Sequence, residues 1–78
     1  MVFEQVQKNL AEILSRDPES IEMDTNLVDD LGVDSIDSVE LVMAVEEIYE
    51  ISIPEEAAME MKTVADVVEY IEDHIEEE

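Results

Sequence analysis

Residues 34–50 read DSIDSVELVMAVEEIYE, and the rest of the architecture is built around the helix that they predict. Asp34 is of a residue type preferred as the N-cap of a helix, and Asp37 falls in the first turn, where a carboxylate is favourable. The run predicts a helix from about Ser35 to Glu50. On a helical wheel, one set of apolar side chains clusters on a single side and forms the predicted core face: Leu41, Val42, Val45, Ile48 and Tyr49.

The opposite side of this helix is also apolar, at Ile36, Val39 and Met43. A helix that serves only the core carries polar residues there. Instead, carboxylates flank this small apolar centre: Glu40, Glu46, Glu47 and Glu50. An apolar centre within a charged rim is typical of a docking surface. The wheel alone leaves a second interpretation open, in which the three side chains contact the preceding loop or are merely exposed.

Upstream of this helix, the sequence predicts one further helix and a long loop. Apolar residues at steps of three and four predict a helix over residues 2–14: Phe3, Val6, Leu10, Ile13 and Leu14. The pair Asp17-Pro18 is predicted to end it, because the residue before proline disfavours the helical region. A polar connection follows, from Asp17 to Asp34. Its scattered apolar residues are expected to hold the loop against the core: Ile21, Met23, Leu27, Val28 and Leu31.

Downstream, two more helices are predicted. Pro54 suits the first position of a short helix over residues 54–61. Thr63 is the predicted N-cap of the last helix, with Asp66 three residues later. The apolar stripe of that helix comprises Val64, Val67, Val68, Ile71 and Ile75. The tail at residues 76–78 is expected to be solvated. The predicted fold is all-α, a small four-helix bundle of three longer helices and one short helix with a long first loop, in one domain over residues 1–78.

The composition limits the classes of partner. Among 78 residues, 24 Asp and Glu stand against 3 Lys and Arg, which gives a formal net charge of −21. Nucleic acid and anionic lipid would repel such a chain, so a protein with a basic patch is the expected partner. The longest apolar run, at residues 41–45, is too short to span a membrane. No basic segment with an apolar stretch opens the chain, so a cytoplasmic location is expected.

The composition also argues against an enzyme or a metal site. There is no cysteine, and His74 is the single histidine, so neither a thiolate nucleophile nor a histidine-rich zinc site is expected. The acidic stretch from Asp24 to Gly32 lacks the ligand spacing of an EF-hand. No partner base or glycine-rich phosphate loop accompanies the carboxylates. Crowding of these carboxylates is expected to raise their pKa values in the folded state.

Ser35 is the candidate attachment site. It follows an acid and opens the predicted helix, where free N–H groups and the helix dipole favour a phosphate. No His, Lys or Arg lies nearby in sequence to activate it, so another enzyme would have to modify it. None of the other serines combines a preceding acid with a helix start: Ser15, Ser20, Ser38 and Ser52. From these residues alone, a plain helix-start serine stays the simpler interpretation.

The stretch DDLGVDSIDSVEL at residues 29–41 resembles the signature of acyl carrier proteins. The resemblance continues through VMAVEE at residues 42–47, ISIP at residues 51–54 and TVAD at residues 63–66. It implies that Ser35, with Asp34 beside it, carries 4′-phosphopantetheine through a phosphodiester. A phosphopantetheinyl transferase would install this arm from coenzyme A. The thiol of the arm would hold growing acyl chains as thioesters for the enzymes of fatty acid synthesis, and the carrier itself would do no chemistry.

The resemblance also implies that the second helix docks onto partner enzymes. Five of its residues match the docking positions of the family: Ile36, Glu40, Met43, Glu46 and Glu47. Val39 joins them on the wheel. Position 36 usually holds Leu in this family, and the β-branched Ile is stiffer, which could alter which partners fit best. The implied partners are basic-patch enzymes of fatty acid synthesis and the transferase, and the carrier is expected to be a monomer.

A small bundle can open a slot between helices for an apolar acyl chain, which would otherwise lie in water. Each CH₂ buried there contributes about 0.8 kcal/mol. The candidate lining residues lie near the second, third and last helices: Val45, Ile53, Ala58, Met61, Val67 and Tyr70. Ordinary core packing is the alternative interpretation of the same side chains, and both can hold together.

Two other functions remain open at the level of sequence. Within the carrier class, the chain could serve a specialised pathway of polyketide, peptide or D-alanyl transfer, although its acidity and Glu-rich second helix favour fatty acid synthesis. Outside the class, an acidic inhibitor or interaction module would need the surface charge but not Ser35.

Overall fold

Helices account for all the regular secondary structure in the described part of the chain, residues 2–75 of a computed structural model. The α-helices are α1 (Val2–Leu14), α2 (Ser35–Tyr49), α3 (Glu55–Glu60) and α4 (Val64–His74), and a 3₁₀ turn, Pro18–Ser20, lies between the first two. Over the same residues, only an isolated bridge between Asn26 and Thr63 has β geometry. The all-α prediction is confirmed. The predicted solvated tail at residues 76–78 lies outside the described residues.

One hydrophobic core holds these elements together. Helix α1 packs against α4 and α2. The largest fully buried side chains come from α1, the first loop, α2 and α4: Val6, Leu10, Ile21, Val45, Val64, Val67 and Ile71. Complete burial of such a side chain contributes about 1.5–3 kcal/mol. The apolar stripes predicted for α1 and α4 therefore face this core.

The long loop between α1 and α2 is anchored by side chains and by its backbone. Three of its apolar residues are buried, as predicted: Ile21, Leu27 and Leu31. Met23 and Val28 are exposed, so the prediction that their side chains hold the loop is wrong. At Met23 the backbone makes the contact instead, because its carbonyl accepts the N–H of Ala65 at 2.8 Å.

Asn26 organises the end of the loop that leads into α2. Its side-chain oxygen accepts the N–H of Val28 at 3.0 Å and that of Asp29 at 2.8 Å. Its own N–H donates to the Asp30 carboxylate at 2.8 Å. Gly32 then adopts a φ of 69°, in the left-handed region that glycine enters without a steric penalty. These bonds give the loop a defined direction as it approaches α2.

Helix α1 ends by a different cause from the one predicted. Ser15 takes a left-handed conformation, with φ of 56°. The N–H of Arg16 then closes onto the Ala11 carbonyl at 2.9 Å, which is the hydrogen bond of a Schellman motif. Asp17-Pro18 therefore follows the end of α1 and does not cause it.

Two predictions around the second half of α2 and the start of α3 are wrong in detail. Helix α3 begins at Glu55, and Pro54 is its N-cap rather than its first residue, with extended backbone angles (φ −66°, ψ 155°). Ile48, which the wheel places on the core face, is 45% exposed. It lines an open groove with Ser52 and His74 at the end of α2.

A capping box begins α4, as predicted from Thr63 and Asp66. The N–H of Asp66 donates to the Thr63 hydroxyl at 3.2 Å. The Asp66 carboxylate accepts the N–H of Lys62 at 2.8 Å and that of Thr63 at 3.1 Å. These two backbone hydrogen bonds, Lys62 first, hold the pKa of Asp66 below its usual value. The expectation that crowding raises carboxyl pKa values is wrong for Asp66.

The capping box predicts a pH-dependent loss of stability. Asp66→Ala removes the acceptor for two N–H groups and should cost about 1 kcal/mol of unfolding free energy at pH 7. Because the folded-state pKa of Asp66 is lowered, its contribution is present above the usual value of 3.8 and is lost as the pH falls through the folded-state value. Urea titrations at several pH values measure the difference between wild type and variant.

Glu69→Ala is the matched control, because Glu69 is an exposed carboxylate of the same helix. Its effect should be small at every pH. A stability difference for Asp66→Ala that stays constant down to pH 2 would contradict the assignment.

Candidate functional site

The start of α2 is fixed by a second capping box. The N–H of Asp37 donates to Asp34 Oδ1 at 2.8 Å, and the N–H of Asp34 lies 3.4 Å from Asp37 Oδ2. Asp34 has an extended backbone, so the chain turns into the helix at the next residue. Ser35 is therefore the first residue of α2, as predicted from its neighbours.

Ser35 is exposed, and its hydroxyl makes no hydrogen bond to another described residue. Over the same part of the chain, the N–H groups of Ser35 and Ile36 have no protein acceptor. A phosphodiester on the Ser35 hydroxyl would find these donors and the positive end of the α2 dipole close by. The residues at this helix start therefore fit a phosphate-linked arm.

A cleft of about 390 Å³ opens beside Ser35, between α2 and α3. This size lies within the range of small-molecule sites, which is about 300–1,000 Å³. Its apolar wall consists of Val39, Val42, Met43, Ile53, Ala58 and Met59. Its polar groups are Ser35, Ser38, Glu46 and Glu55. The arrangement places a modifiable hydroxyl at the rim of an apolar slot.

The residues predicted for an acyl pocket lie in three places. Ile53 and Ala58 line the cleft beside Ser35. Met61 and Tyr70 line a separate shallow cavity of about 280 Å³, together with four carboxylates: Glu60, Asp66, Glu69 and Asp73. Val45 and Val67 are buried in the core.

Sequence reasoning missed Val42 and Met59 as residues of the cleft. Val42 is half-buried at the edge of the core face, a position that the wheel does not separate from the core itself. Met59 is 73% exposed on a six-residue helix. An apolar residue among the acids of that short helix is the one signal that could have indicated it.

The outer face of α2 is open. Ile36, Val39 and Met43 are 69%, 56% and 61% exposed, so they do not pack beneath the long loop. Glu40 and Glu47 are exposed beside them. Glu46 differs, because it is half-buried and its carboxylate accepts the N–H of Ile53 at 2.7 Å.

The charge around the site is negative throughout. The basic residues of the chain are Lys8, Arg16 and Lys62, and none of them belongs to α2 or α3. A surface of this kind attracts a basic partner and accelerates its approach. Across residues 2–75, no cluster of His, Cys, Asp or Glu has the arrangement of a metal site, and no helix is long and apolar enough to cross a membrane.

Comparison with known proteins decides the family. A family model described as a phosphopantetheine attachment site matches residues 4–71. The acyl carrier protein of Clostridium acetobutylicum is 48% identical over 77 residues, which cover 99% of this chain and 100% of that protein. The chain belongs to the acyl carrier proteins.

Further relatives agree with this assignment. The acyl carrier protein of Campylobacter curvus is 49% identical over 71 residues, which cover 91% of this chain and 92% of that protein. A solved structure described as an acyl carrier protein, from Mycobacterium tuberculosis, has a TM-score of 0.88 at 32% identity, over 94% of this chain and 97% of that one. The likeness covers the fold as well as the sequence.

Three predictions from the sequence are thereby confirmed, and a fourth, on partners, is confirmed at the level of the enzyme class. The resemblance of residues 29–41 to acyl carrier proteins is real. The chain is a carrier rather than an enzyme, and its prosthetic group is a covalently bound 4′-phosphopantetheine. Acyl carrier proteins work with acyl-handling enzymes, so its partners belong to that class.

Proposed function

We propose that residues 1–78 form a single acyl carrier domain. It carries growing acyl chains as thioesters on a 4′-phosphopantetheine arm attached to Ser35, and it delivers them to enzymes of fatty acid synthesis in the cytoplasm. The observation that supports this site best is the exposed Ser35 hydroxyl, which makes no hydrogen bond to another described residue and stands at the start of α2 beside the apolar cleft. Among residues 2–75, no other serine begins an α-helix.

The attachment is a phosphoryl transfer. The Ser35 oxygen attacks the phosphorus that bears the pantetheine in coenzyme A, and the pyrophosphate bond to 3′,5′-ADP breaks. The hydroxyl proton leaves to a base of the transferase, because this chain offers no His, Lys or Arg next to Ser35. Once bound, the arm supplies a thiol that holds acyl groups as thioesters.

The outer face of α2 is the proposed docking surface for the transferase and the synthesis enzymes. It combines three exposed apolar side chains with a carboxylate rim: Ile36, Val39, Glu40, Met43, Glu46 and Glu47. Apolar contact supplies affinity, and the charges orient a basic patch on the partner. One copy of the chain presents the complete surface, so the carrier is proposed to act as a monomer.

The cleft between α2 and α3 is the proposed shelter for the acyl chain. It is the apolar cavity that opens beside Ser35, so the arm can fold back and place a chain within it. Of the residues predicted for the pocket, Ile53 and Ala58 contribute directly to this wall. Val45 and Val67 would support it from the core, and Met61 and Tyr70 would become accessible only if the cleft deepened.

Attachment at Ser35 is tested by intact mass. Wild type incubated with coenzyme A, Mg²⁺ and a phosphopantetheinyl transferase should gain the mass of one phosphopantetheine. Ser35→Ala should gain nothing, because its nucleophilic oxygen is missing. Ser38→Ala is the matched control, since Ser38 lies one turn further along α2 on the same cleft, and it should gain the arm. An arm on Ser35→Ala, or none on wild type while a known carrier accepts one, would refute the site.

The pathway is tested by loading the holo form. With the arm in place, a malonyl transferase of fatty acid synthesis should convert the thiol to a malonyl thioester, because the acidic α2 face matches a basic docking patch. A D-alanyl ligase should load it poorly. Mass spectrometry reads both reactions, and efficient D-alanylation without malonylation would favour the specialised-carrier alternative.

Sheltering of the acyl chain predicts a chain-length-dependent stability. The melting temperature should rise from the free-thiol form to the butyryl form and again to the octanoyl form. Each CH₂ removed from water contributes about 0.8 kcal/mol at most, and this energy is available only while the protein is folded. Calorimetry of the three forms measures the shift, and equal melting temperatures would show that the chain stays in solvent.

A further inference from the structure

The carboxylate of Glu46 accepts a backbone hydrogen bond, unlike the other two acidic residues of the proposed docking surface, Glu40 and Glu47. It is half-buried, and it accepts the N–H of Ile53 at 2.7 Å. Glu40 and Glu47 are exposed, and neither makes a hydrogen bond to another described residue. Glu46 therefore joins the middle of α2 to the connection that leads into α3.

The Glu46 carboxylate is the hydrogen-bond acceptor of the Ile53 N–H. Ile53 is buried, and over residues 2–75 its N–H has no backbone acceptor. Pro54 has no N–H, so Ile53 carries the last backbone donor before α3 begins. Within residues 2–75, the one other side-chain hydrogen bond to this connection, from the Tyr70 hydroxyl to the Ser52 carbonyl, is longer at 3.3 Å. A buried N–H left without a partner is strongly disfavoured, so loss of the Glu46 carboxylate should displace Ile53.

Both partners in this bond lie on the wall of the cleft beside Ser35. Ile53 contributes an apolar side chain to that wall, and α3 begins two residues later. The position of Ile53 therefore decides how far the start of α3 stands from α2.

We propose that Glu46 is a positioning residue that sets the shape of the acyl cleft by holding Ile53, a role separate from its charge in docking. The proposal rests on the proposed function of Ser35 and the cleft. It divides the acidic residues of α2 into two kinds. Glu40 and Glu47 act through charge alone, whereas Glu46 acts through a hydrogen bond to the backbone.

Two conservative substitutions of Glu46 separate the effect of its hydrogen bond to Ile53 from the effect of its negative charge. Glu46→Gln removes the charge but keeps a side-chain oxygen that can accept the Ile53 N–H. Glu46→Asp keeps the charge, but its side chain is one methylene shorter and no longer reaches. Glu47→Gln and Glu47→Asp are the matched controls at an exposed position one residue away. Each variant is converted by the transferase to its free-thiol form with coenzyme A and to its octanoyl form with octanoyl-coenzyme A.

The informative readout is the difference in melting temperature between the octanoyl and free-thiol forms of each variant. A merely structural role would lower both forms equally and leave this difference unchanged. We expect the wild-type difference in Glu46→Gln and in both Glu47 variants, and a smaller difference in Glu46→Asp. Hydrogen exchange of the Ile53 amide should be about tenfold faster in Glu46→Asp and close to wild type in Glu46→Gln.

The outcomes separate this proposal from the one on which it rests. A full octanoyl effect in Glu46→Asp, or loss of the effect in Glu46→Gln and Glu47→Gln alike, overturns the positioning role while the carrier function stands. Failure of wild type to accept the arm at Ser35 overturns the carrier function instead. Mass spectra of every preparation show which of the two has failed.

Discussion

The reciprocal hydrogen bonds of Asp34 and Asp37 determine the residue at which α2 begins, and the rest of the site depends on that start. From that start, at about 100° per residue, Leu41 and Val45 fall on the side that packs into the core and Met43 falls on the exposed side. The same caps leave the Ser35 hydroxyl exposed and the first N–H groups of α2 free. One local interaction thus fixes the start of the helix that carries the proposed attachment site, the proposed docking face and one wall of the cleft.

The high negative charge is compatible with this fold because the carboxylates are placed where they stabilise it or where water screens them. Asp34, Asp37 and Asp66 lie at helix N-termini, where backbone N–H groups and the helix dipole favour a negative charge. The described residues include no buried charged side chain, so none of their carboxylates incurs the full desolvation penalty of a buried charge. Stability comes from the apolar core, which leaves the acidic surface available for recognition.

Much of this architecture could be predicted from the sequence, because caps and apolar periodicity are local signals. Asp34 and Thr63 correctly indicate the starts of α2 and α4. The end of α1 could not be predicted in the same way, because Ser15 adopts a left-handed conformation that usually indicates glycine. The exposure of Ile48 depends on what lies beyond the helix, and a wheel contains no such information. The cleft was predicted only in part, since its walls come from two helices whose relative placement is a tertiary property.

Glu46 shows most clearly where matching a sequence to a family reaches its limit. By position it belongs with Glu40 and Glu47 as an acidic residue on the proposed docking helix, and no local pattern separates the three. The separation comes from Ile53, seven residues further on, a buried residue whose N–H donates to the Glu46 carboxylate. A carboxylate in that place satisfies a backbone donor and still has a second oxygen for a basic partner. Two demands, one from the fold and one from recognition, thus select the same residue type, so its presence in a family motif does not by itself tell which demand it meets.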